Sequence, residues 1–472
     1  MGASTVTRKN PNLSPDQIRK LKANTDFIWT NTAEPHAERK ARILKKHGKE
    51  INKLMGYEWK TKYVALAVAS LQLFTAILVV SGHHIQLPAC LTKIPLLSSA
   101  ITPFVAPVAG GGLLAQFLLL VRGSTWASWA AYIALAYILG GTLQHNLFLA
   151  IHEITHNLAF RRPLHNDILS IFCNLPIAVP YSMMFKTYHA EHHRYQGWDG
   201  IDTDIPSNIE TKLFRTTIGK AFFAFFQIVF YAFRPCVLRQ QTLHRMHALN
   251  WIVVVGFWAG LVGAGLGWST LGNSWIYCVL CTFFAGALHP MSGHFISEHY
   301  VFDPEGIQET YSYYGPLNIL GYNVGLHNEH HDFPNVPWTR LHKVANIAPE
   351  YYDHLVVTDS WPMTIWNFIT DSRVTTFSRV KREKEAWKRA VLLPTDTELA
   401  PAAFARGEKP AAASPAKKPA AKKSPSPDSK RSPSPATKKA TAPKAPSPKK
   451  AKAPSPSVSK SRRTVSVPRK KK

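Results

Sequence analysis

Two histidines four residues apart could bind a metal ion in this chain. Residues 150–157 read AIHEITHN, in which His152, Glu153 and His156 fit the pattern H-E-x-x-H. On a helix, side chains four residues apart lie on one face, so both imidazoles can reach the same ion. The pattern is typical of zinc proteases, in which the glutamate is the general base. By itself, however, it leaves both the metal and the reaction open.

Two more clusters repeat this spacing in YHAEHHRY and LHNEHHDF. They contain His189, His192 and His193, and then His327, His330 and His331. Neutral imidazole suits iron, zinc, copper and nickel alike. The eight histidines of the three clusters exceed the four ligands that one zinc ion usually takes. We therefore predict that two metals share them.

The segment HPMSGHFISEHY offers a ninth ligand. We expect His299 to supply it rather than His294, because His299 lies nearer in sequence to the third cluster. His145 lies two helical turns before His152 on the same face. It is either a residue that supports the ligands or a hydrogen-bonded core residue.

A membrane zinc protease is the alternative to a two-metal site. It would use only His152, Glu153 and His156, and it would leave the other clustered histidines without a role. We therefore favour the two-metal interpretation, in which Glu153 would orient a ligand imidazole.

Membrane helices must position these clusters. Uncharged runs occupy 64–82, 123–151 and 248–288, and the last is long enough for two spans. Because one span needs about 20 apolar residues, four spans are the simplest count. The run 94–121 is broken by prolines and could be re-entrant, interfacial or a further span. The aromatic run 221–233 is short, so we expect a helix in the membrane interface there.

The placement of basic residues predicts the orientation. Residues 1–63 hold 14 Lys and Arg, whereas 83–122 hold two. The positive-inside rule therefore places both termini in the cytosol and all three clusters at the cytosolic side. We expect a cytosolic segment at 1–62, a membrane domain at 63–393 and a tail at 394–472.

The tail carries most of the formal net charge of +27. From 401 to 472 it has 21 Lys and Arg but two acids, among Ala, Pro and Ser. Such a composition cannot bury enough apolar surface to fold, so we predict disorder. Without interleaved aromatic residues for base stacking, we expect an anionic lipid surface as its partner and no nucleic acid.

Cys278 and Cys281 form a C-x-x-C pattern inside the apolar run SWIYCVLCTFFAGAL. That spacing is typical of a redox or zinc site. The surrounding sequence instead favours two small residues that pack within a membrane helix.

The longer strings around the clusters make the chain resemble a known family. The order H-x-x-x-H, H-x-x-H-H, H-x-x-H-H resembles the membrane fatty acyl desaturases and hydroxylases. NLPIAVPYSMMFKTYHAEHHRYQGWDGIDTDIP, HPMSGHFISEHYVF and ETYSYYGPLNILGYNVGLHNEHHDFPN resemble the sphingolipid delta-4, or dihydroceramide, desaturases. The similarity runs from Asp26 to Lys384. A longer stretch before HEITHN and the basic tail depart from that family.

This resemblance implies a fold, a reaction and cofactors. The fold would be all-α, an integral membrane four-helix desaturase-type bundle with a cytosolic histidine-rich diiron cap. The reaction would introduce a trans double bond between C4 and C5 of the sphinganine chain of dihydroceramide, at the endoplasmic reticulum membrane. O2 would be the co-substrate, and electrons would come from NADH through cytochrome b5 and its reductase. Two iron ions would be held by the eight clustered histidines, with His299 expected as the ninth ligand. A sphinganine C4-hydroxylase, or a bifunctional enzyme, is the alternative.

Overall fold

The structure is a computed structural model that describes residues 19, 25–80, 113–263, 268–302 and 308–383. The predicted disordered tail at 394–472 lies outside the described residues, as does most of the proline-broken run at 94–121.

Nearly all the described regular structure is helical. The first helices are α1 (Pro35–Leu54), α2 (Trp59–Phe74), α3 (Leu113–Arg122), α4 (Trp126–Leu135), α5 (Gly141–Thr155), α6 (Pro163–Cys173) and α7 (Ser182–Arg194). They are followed by α8 (Asn208–Leu213), α9 (Thr217–Leu238), α10 (Arg245–Gly263), α11 (Trp268–Gly286), α12 (His294–Ser297), α13 (His327–Asp332), α14 (Trp338–Ile347) and α15 (Trp361–Thr370). Short 3-10 turns lie at Pro290–Gly293, Pro316–Leu320 and Pro349–Tyr351.

Two small parallel sheets join distant parts of the chain. β1 (Ile28–Thr30) pairs with β4 (Val380–Arg382), and β2 (Ser312–Tyr313) pairs with β3 (Val357–Thr358). The first pairing brings the segment before α1 against the last described residues. It therefore places α1 where it can cover the histidine-bearing elements.

Among the described residues, two helices are long and apolar enough to cross a membrane, and a bent pair could form a third crossing. They are Trp126–Thr155, of 30 residues, and Thr217–Leu238, of 22 residues. The bent pair joins Ser274–Gly286 to Pro290–Ser297 at 43°. In the first helix a π-helical turn at Ala136–Gly140 links α4 to α5. The mostly helical fold and the candidate membrane helices agree with the predicted class, whereas the count of four spans remains a prediction.

The helix α9 is longer than its uncharged run indicated. The run 221–233 is bounded by Lys220 and Arg234, and both of these side chains are buried with partners. Lys220 donates to the carbonyl oxygens of Asp371 and Val374, at 2.6 and 2.8 Å. Arg234 binds the Glu210 carboxylate. Because these cations are neutralised or hydrogen-bonded inside the protein, the helix continues past both of them.

The predicted spans at 64–82 and 248–288 coincide with helices. α2 continues as a π-helical turn to Val80, and the second run covers α10 and α11. Large apolar side chains on the outside of α10, including Trp251 and Ile252, are exposed. An apolar face of this kind needs lipid or another protein to cover it.

Small residues allow the central helices to approach closely. A Cβ atom added to Gly140 would collide with the Sγ atom of Cys281. Cys278 and Cys281 are both free and belong to one buried apolar cluster. They act as packing residues between α11 and the turn before α5, as their apolar context indicated.

Helix α1 is held by its cap and by its apolar face. The Glu34 carboxylate accepts from the backbone N–H groups of His36 and Ala37, and Pro35 occupies the first helical position. Ile43 and Ile51 are fully buried in a cluster with side chains of α14 and of the segment after α13. The amphipathic helix therefore packs directly beside the third histidine cluster.

Candidate metal centre

All nine histidines predicted as ligands converge in the structure. They form two groups, and within each group one side-chain nitrogen per residue lies within 4.8 Å of the others. The first group, called group A, contains His152, His156, His189, His193 and His330. The second, called group B, contains His192, His299, His327 and His331.

The nitrogens of group A form a chain of short separations. The Nε2 atoms of His152 and His330 are 2.8 Å apart, and those of His156 and His189 are 2.9 Å apart. His193 Nε2 lies 3.1 Å from the Nε2 atoms of both His189 and His330. The five imidazoles thus turn the same ring atom toward a common point.

Group B has the same geometry. His299 Nε2 lies 3.1 Å from His192 Nε2 and 2.9 Å from His327 Nε2. The Nε2 atom of His331 is buried and has no hydrogen-bond partner among the described residues. It is therefore free to complete the group.

These separations fit ligands that share a metal ion. With metal–nitrogen bonds of about 2.1 Å, two ligands at right angles to each other have nitrogens about 3.0 Å apart. Neutral imidazoles could form some of these contacts as hydrogen bonds, but each Nε2 carries at most one proton. Five rings that point one nitrogen at a single locus are therefore compatible with a shared metal ion.

Adjacent histidines separate into different groups. His192 belongs to group B and His193 to group A, and the same division holds for His331 and His330. Successive residues of a helix point about 100° apart, so an adjacent pair can serve two neighbouring sites. The H-x-x-H-H spacing thus lets one helix contribute to both groups.

The third cluster depends on a tight turn. Tyr322 and Asn323 adopt positive φ angles of 51° and 53°, a conformation that non-glycine residues seldom adopt. Asn323 donates from Nδ2 to the Trp338 carbonyl, and Asn318 accepts from the Gly325 N–H. These side-chain bonds fix the chain direction just before α13, where the cluster begins.

Carboxylate and carbonyl oxygens orient the group B rings. His192 Nδ1 lies 3.0 Å from Asp202 Oδ1, which also accepts from the Asp204 N–H. His299 Nδ1 lies 3.3 Å from the Glu309 carbonyl oxygen. An oxygen that only accepts requires the proton on Nδ1, so Nε2 is left with its lone pair toward the group.

The environment keeps most of these imidazoles neutral. Burial lowers the pKa values of His189, His193, His330 and His331 well below the ordinary histidine value. Burial acts in the same direction on His192, but the Asp202 carboxylate outweighs it and raises that pKa. Neutral imidazole is the form that binds metals.

A buried polar network beside group B was not foreseen from the sequence. His36 of α1 lies with its ring centroid 4.8 Å from that of His331, and its Nδ1 is 2.8 Å from Asp332 Oδ1. Arg39 donates to the other oxygen of Asp332 at 2.6 Å, and Tyr352 donates to the same oxygen at 2.7 Å. The only signal for this network in the sequence is that His36 and Arg39, three residues apart, lie on one face of an amphipathic helix.

The charge of Asp332 is stabilised by this network. Burial by itself raises the pKa of the carboxyl, but the Arg39 guanidinium and the His36 hydrogen bond more than offset that effect. The pKa of Asp332 is therefore held below its usual range. A buried and paired carboxylate of this kind fixes α1 against α13.

Glu153 does not orient a ligand imidazole, contrary to our expectation. Its carboxylate accepts from the backbone N–H of Trp338 at 3.2 Å. Glu153 is adjacent to His152, but its carboxylate contacts the start of α14 rather than a ring of group A. It joins the end of α5 to the start of α14.

His294 lies in neither group, whereas His299 lies in group B. His145 also lies outside both groups, and its Nδ1 is 2.8 Å from the Ala285 carbonyl oxygen. The geometry thus separates these flanking histidines from the nine convergent ones.

Comparison with known proteins gives a consistent result. The fatty acid desaturase family model matches residues 127–362, and the model described as sphingolipid Delta4-desaturase matches 23–60. A sphingolipid delta(4)-desaturase of Oryza sativa subsp. japonica is 44% identical, with the alignment covering 76% of this chain and 93% of that protein. The sphingolipid delta(4)-desaturases of Schizosaccharomyces pombe and Drosophila melanogaster are both 43% identical. Those alignments cover 76% and 77% of this chain, and 88% and 97% of the respective relatives.

Proposed function

The chain belongs to the sphingolipid delta(4)-desaturase family of the fatty acid desaturases, and we propose on that basis that it introduces a trans double bond between C4 and C5 of the sphinganine chain of dihydroceramide. The product would be ceramide. The observation that supports the proposal best is the convergence of nine imidazoles into two adjacent groups.

The cofactor we propose is a pair of iron ions, one in group A and one in group B. The nine histidines of the two groups would be the ligands, including His299. Zinc has no redox chemistry, whereas histidine-rich iron sites with open positions activate O2. When bound, the irons supply the oxidation of an unactivated C–H bond, for which no side chain is competent.

The overall reaction balances with an external electron donor. One –CH2–CH2– unit, one O2, two electrons and two protons give –CH=CH– and two water molecules. We propose that the electrons come from NADH through cytochrome b5 and its reductase. The family resemblance implies such a separate donor protein.

The protein's own residues hold and orient the centre. Asp202 and the Glu309 carbonyl fix the ring planes of His192 and His299. The ion pair between Arg39 and Asp332 holds α1 against α13, beside group B. Because the surrounding side chains are largely buried, bulk water is kept away from the reacting carbons.

The membrane arrangement we propose follows the basic residues. A cytosolic segment at 1–62, a membrane domain at 63–393 with four spans, and a disordered tail at 394–472 would place both termini in the cytosol. The location would be the endoplasmic reticulum. The candidate membrane helices support membrane insertion, and the dihydroceramide substrate is itself a membrane lipid.

The zinc protease alternative is not supported by the geometry. Such an enzyme needs its glutamate beside a metal-bound water. Glu153 instead contacts the Trp338 backbone, and six further histidines of the three clusters join the first pair.

Expression in cells that lack sphingolipid desaturation tests the proposed reaction. Mass spectrometry of the long-chain bases should show a new C4–C5 double bond. A 4-hydroxy base alone would replace the proposal with the hydroxylase alternative. If neither product formed while the protein was inserted and iron-loaded, the proposed reaction would be wrong.

A further inference from the structure

Three histidines outside the metal groups lie together beside the central helices. They are His145 in α5, His289 just after α11, and His294 at the start of α12. The ring centroid of His145 lies 4.9 Å from that of His294 and 6.3 Å from that of His289. All three are buried. His145 precedes His152 of group A by about two helical turns, so the cluster lies toward the middle of the candidate span Trp126–Thr155.

The Nδ1 atoms of His145 and His294 both have partners. His145 Nδ1 lies 2.8 Å from the Ala285 carbonyl oxygen, which can only accept a hydrogen bond. The proton of that ring therefore resides on Nδ1, and its Nε2 atom is an acceptor that carries no hydrogen. His294 Nδ1 lies 2.8 Å from Glu298 Oε1. In both rings Nε2 is the nitrogen left to bind a further group.

The Nε2 atoms of His145 and His294 are buried without a hydrogen-bond partner among the described residues. A buried polar atom without a partner is unfavourable, and such atoms in native proteins usually have a ligand or water to satisfy them. His289 differs, since its Nε2 lies 3.3 Å from Thr142 Oγ1.

We propose that His145 and His294 bind the polar head of the lipid substrate, with their Nε2 atoms hydrogen-bonded to its hydroxyl and amide groups. The inference rests on the proposed function, because it assigns the substrate to that reaction. Two unpartnered Nε2 atoms require a ligand with two polar groups. A ceramide-type head carries O–H and N–H groups within a few bonds of C4, whereas a fatty acyl chain carries none near its reacting carbons.

The site is connected to group B through one carboxylate. Glu298 Oε1 binds His294 Nδ1 and lies 3.4 Å from Nδ1 of His327, a group B residue. His294 is therefore linked to group B through Glu298 and His327.

Direct binding of two lipids to the full-length, iron-loaded protein in detergent tests the proposal. The probes are tritiated N-hexanoyl sphinganine and its 1,3-di-O-methyl ether, which lacks both hydroxyl hydrogens. The wild-type protein should bind the diol at least about tenfold more tightly than the ether. His145→Asn and His294→Asn retain a donor near the Nδ1 position but remove Nε2. Each should reduce the preference for the diol by about tenfold, with unchanged metal content.

Matched variants separate binding from folding. His289→Asn keeps a helix-capping side chain and should bind both lipids as the wild type does. His145→Gln and His294→Gln extend a polar atom toward the lost Nε2 position and should recover part of the preference, even if an Asn variant fails to fold. Because this assay measures binding, a wild type that prefers the diol but forms no desaturated product would refute the proposed reaction and leave this site intact.

Three outcomes would overturn the inference. The wild type could bind diol and ether equally, which would mean that only water satisfies the two nitrogens. The Asn variants could retain the full preference. They could also lose metal together with the preference, which would show that the two histidines act on the metal centre instead.

Discussion

His193 and His331 stack with ring centroids 4.2 Å apart and an interplanar angle of 26°, although they belong to different metal groups. One comes from α7 and the other from α13, which are separated by more than a hundred residues of sequence. Their contact shows that groups A and B are neighbours. The His193 and His331 rings would lie between two metals held there. A shift of one ring would therefore move the other, so the two groups support each other's positions.

Removing either of these rings should weaken iron binding in its own group and then in the neighbouring group. We expect His193→Ala and His331→Ala each to reduce iron from two per chain to one or none and to abolish desaturation. His342→Ala, an exposed histidine of α14, is the control and should keep both irons. Iron per chain, measured by inductively coupled plasma mass spectrometry, checks this. Full iron content in both group variants would exclude these residues as ligands.

Asp202→Asn should weaken metal binding without unfolding the protein. The amide oxygen can still accept from His192 Nδ1, but it lacks the charge that favours the required tautomer. We expect a loss of 10- to 100-fold in iron affinity, measured by competition with a chelator. Asp199→Asn removes a half-exposed carboxylate paired with Lys381 and should leave iron affinity unchanged. Equal effects of the two substitutions would show that orientation of His192 is unimportant.

Arg39→Met should destabilise the fold more than a similar change nearby. It leaves the fully buried Asp332 carboxylate without its main cation, which costs about 3–5 kcal/mol. Arg42→Met breaks only an exposed pair with Glu38 and should cost about 0–0.5 kcal/mol. Thermal unfolding in detergent compares the two variants. Adding Asp332→Asn to Arg39→Met should recover part of the loss, and no recovery would mean that the buried charge is not its cause.

Glu153→Gln separates the desaturase from the protease interpretation. A glutamine oxygen can still accept from the Trp338 N–H, so metal content should be retained and desaturation should fall no more than a few fold. In a zinc protease the same change removes the general base and would reduce proteolysis by at least about 100-fold. The rate of ceramide formation in microsomes checks the prediction, and a loss of about 100-fold at wild-type iron content would contradict the structural role assigned to Glu153.

The histidine clusters could be identified from the sequence because their signal is local. Spacings of three and four place imidazoles on one helix face wherever a helix forms, so the three clusters could be identified without a structure. His299 could be preferred to His294 only by its distance along the chain. The structure brings His299 together with His192 and His327, a three-dimensional relationship that spacing cannot express. That these residues are iron ligands stays a prediction.

Contacts between distant segments could not be predicted in this way. The bond between His36 and Asp332 joins residues 296 positions apart, and no pattern in either segment identifies its partner. The length of α9 was underestimated for a related reason, because Lys220 and Arg234 are charged in sequence but satisfied in the fold. Glu153 was assigned to the wrong neighbour because a motif gives residue types but not the face on which each one lies.

Anaerobic titration of the purified, metal-free protein with Fe(II) tests the central claim most directly. The account predicts that spectroscopic changes and bound iron both saturate at two ions per chain. Saturation at one ion, or a preference for a single zinc that leaves His192, His327 and His331 without a role, would contradict it.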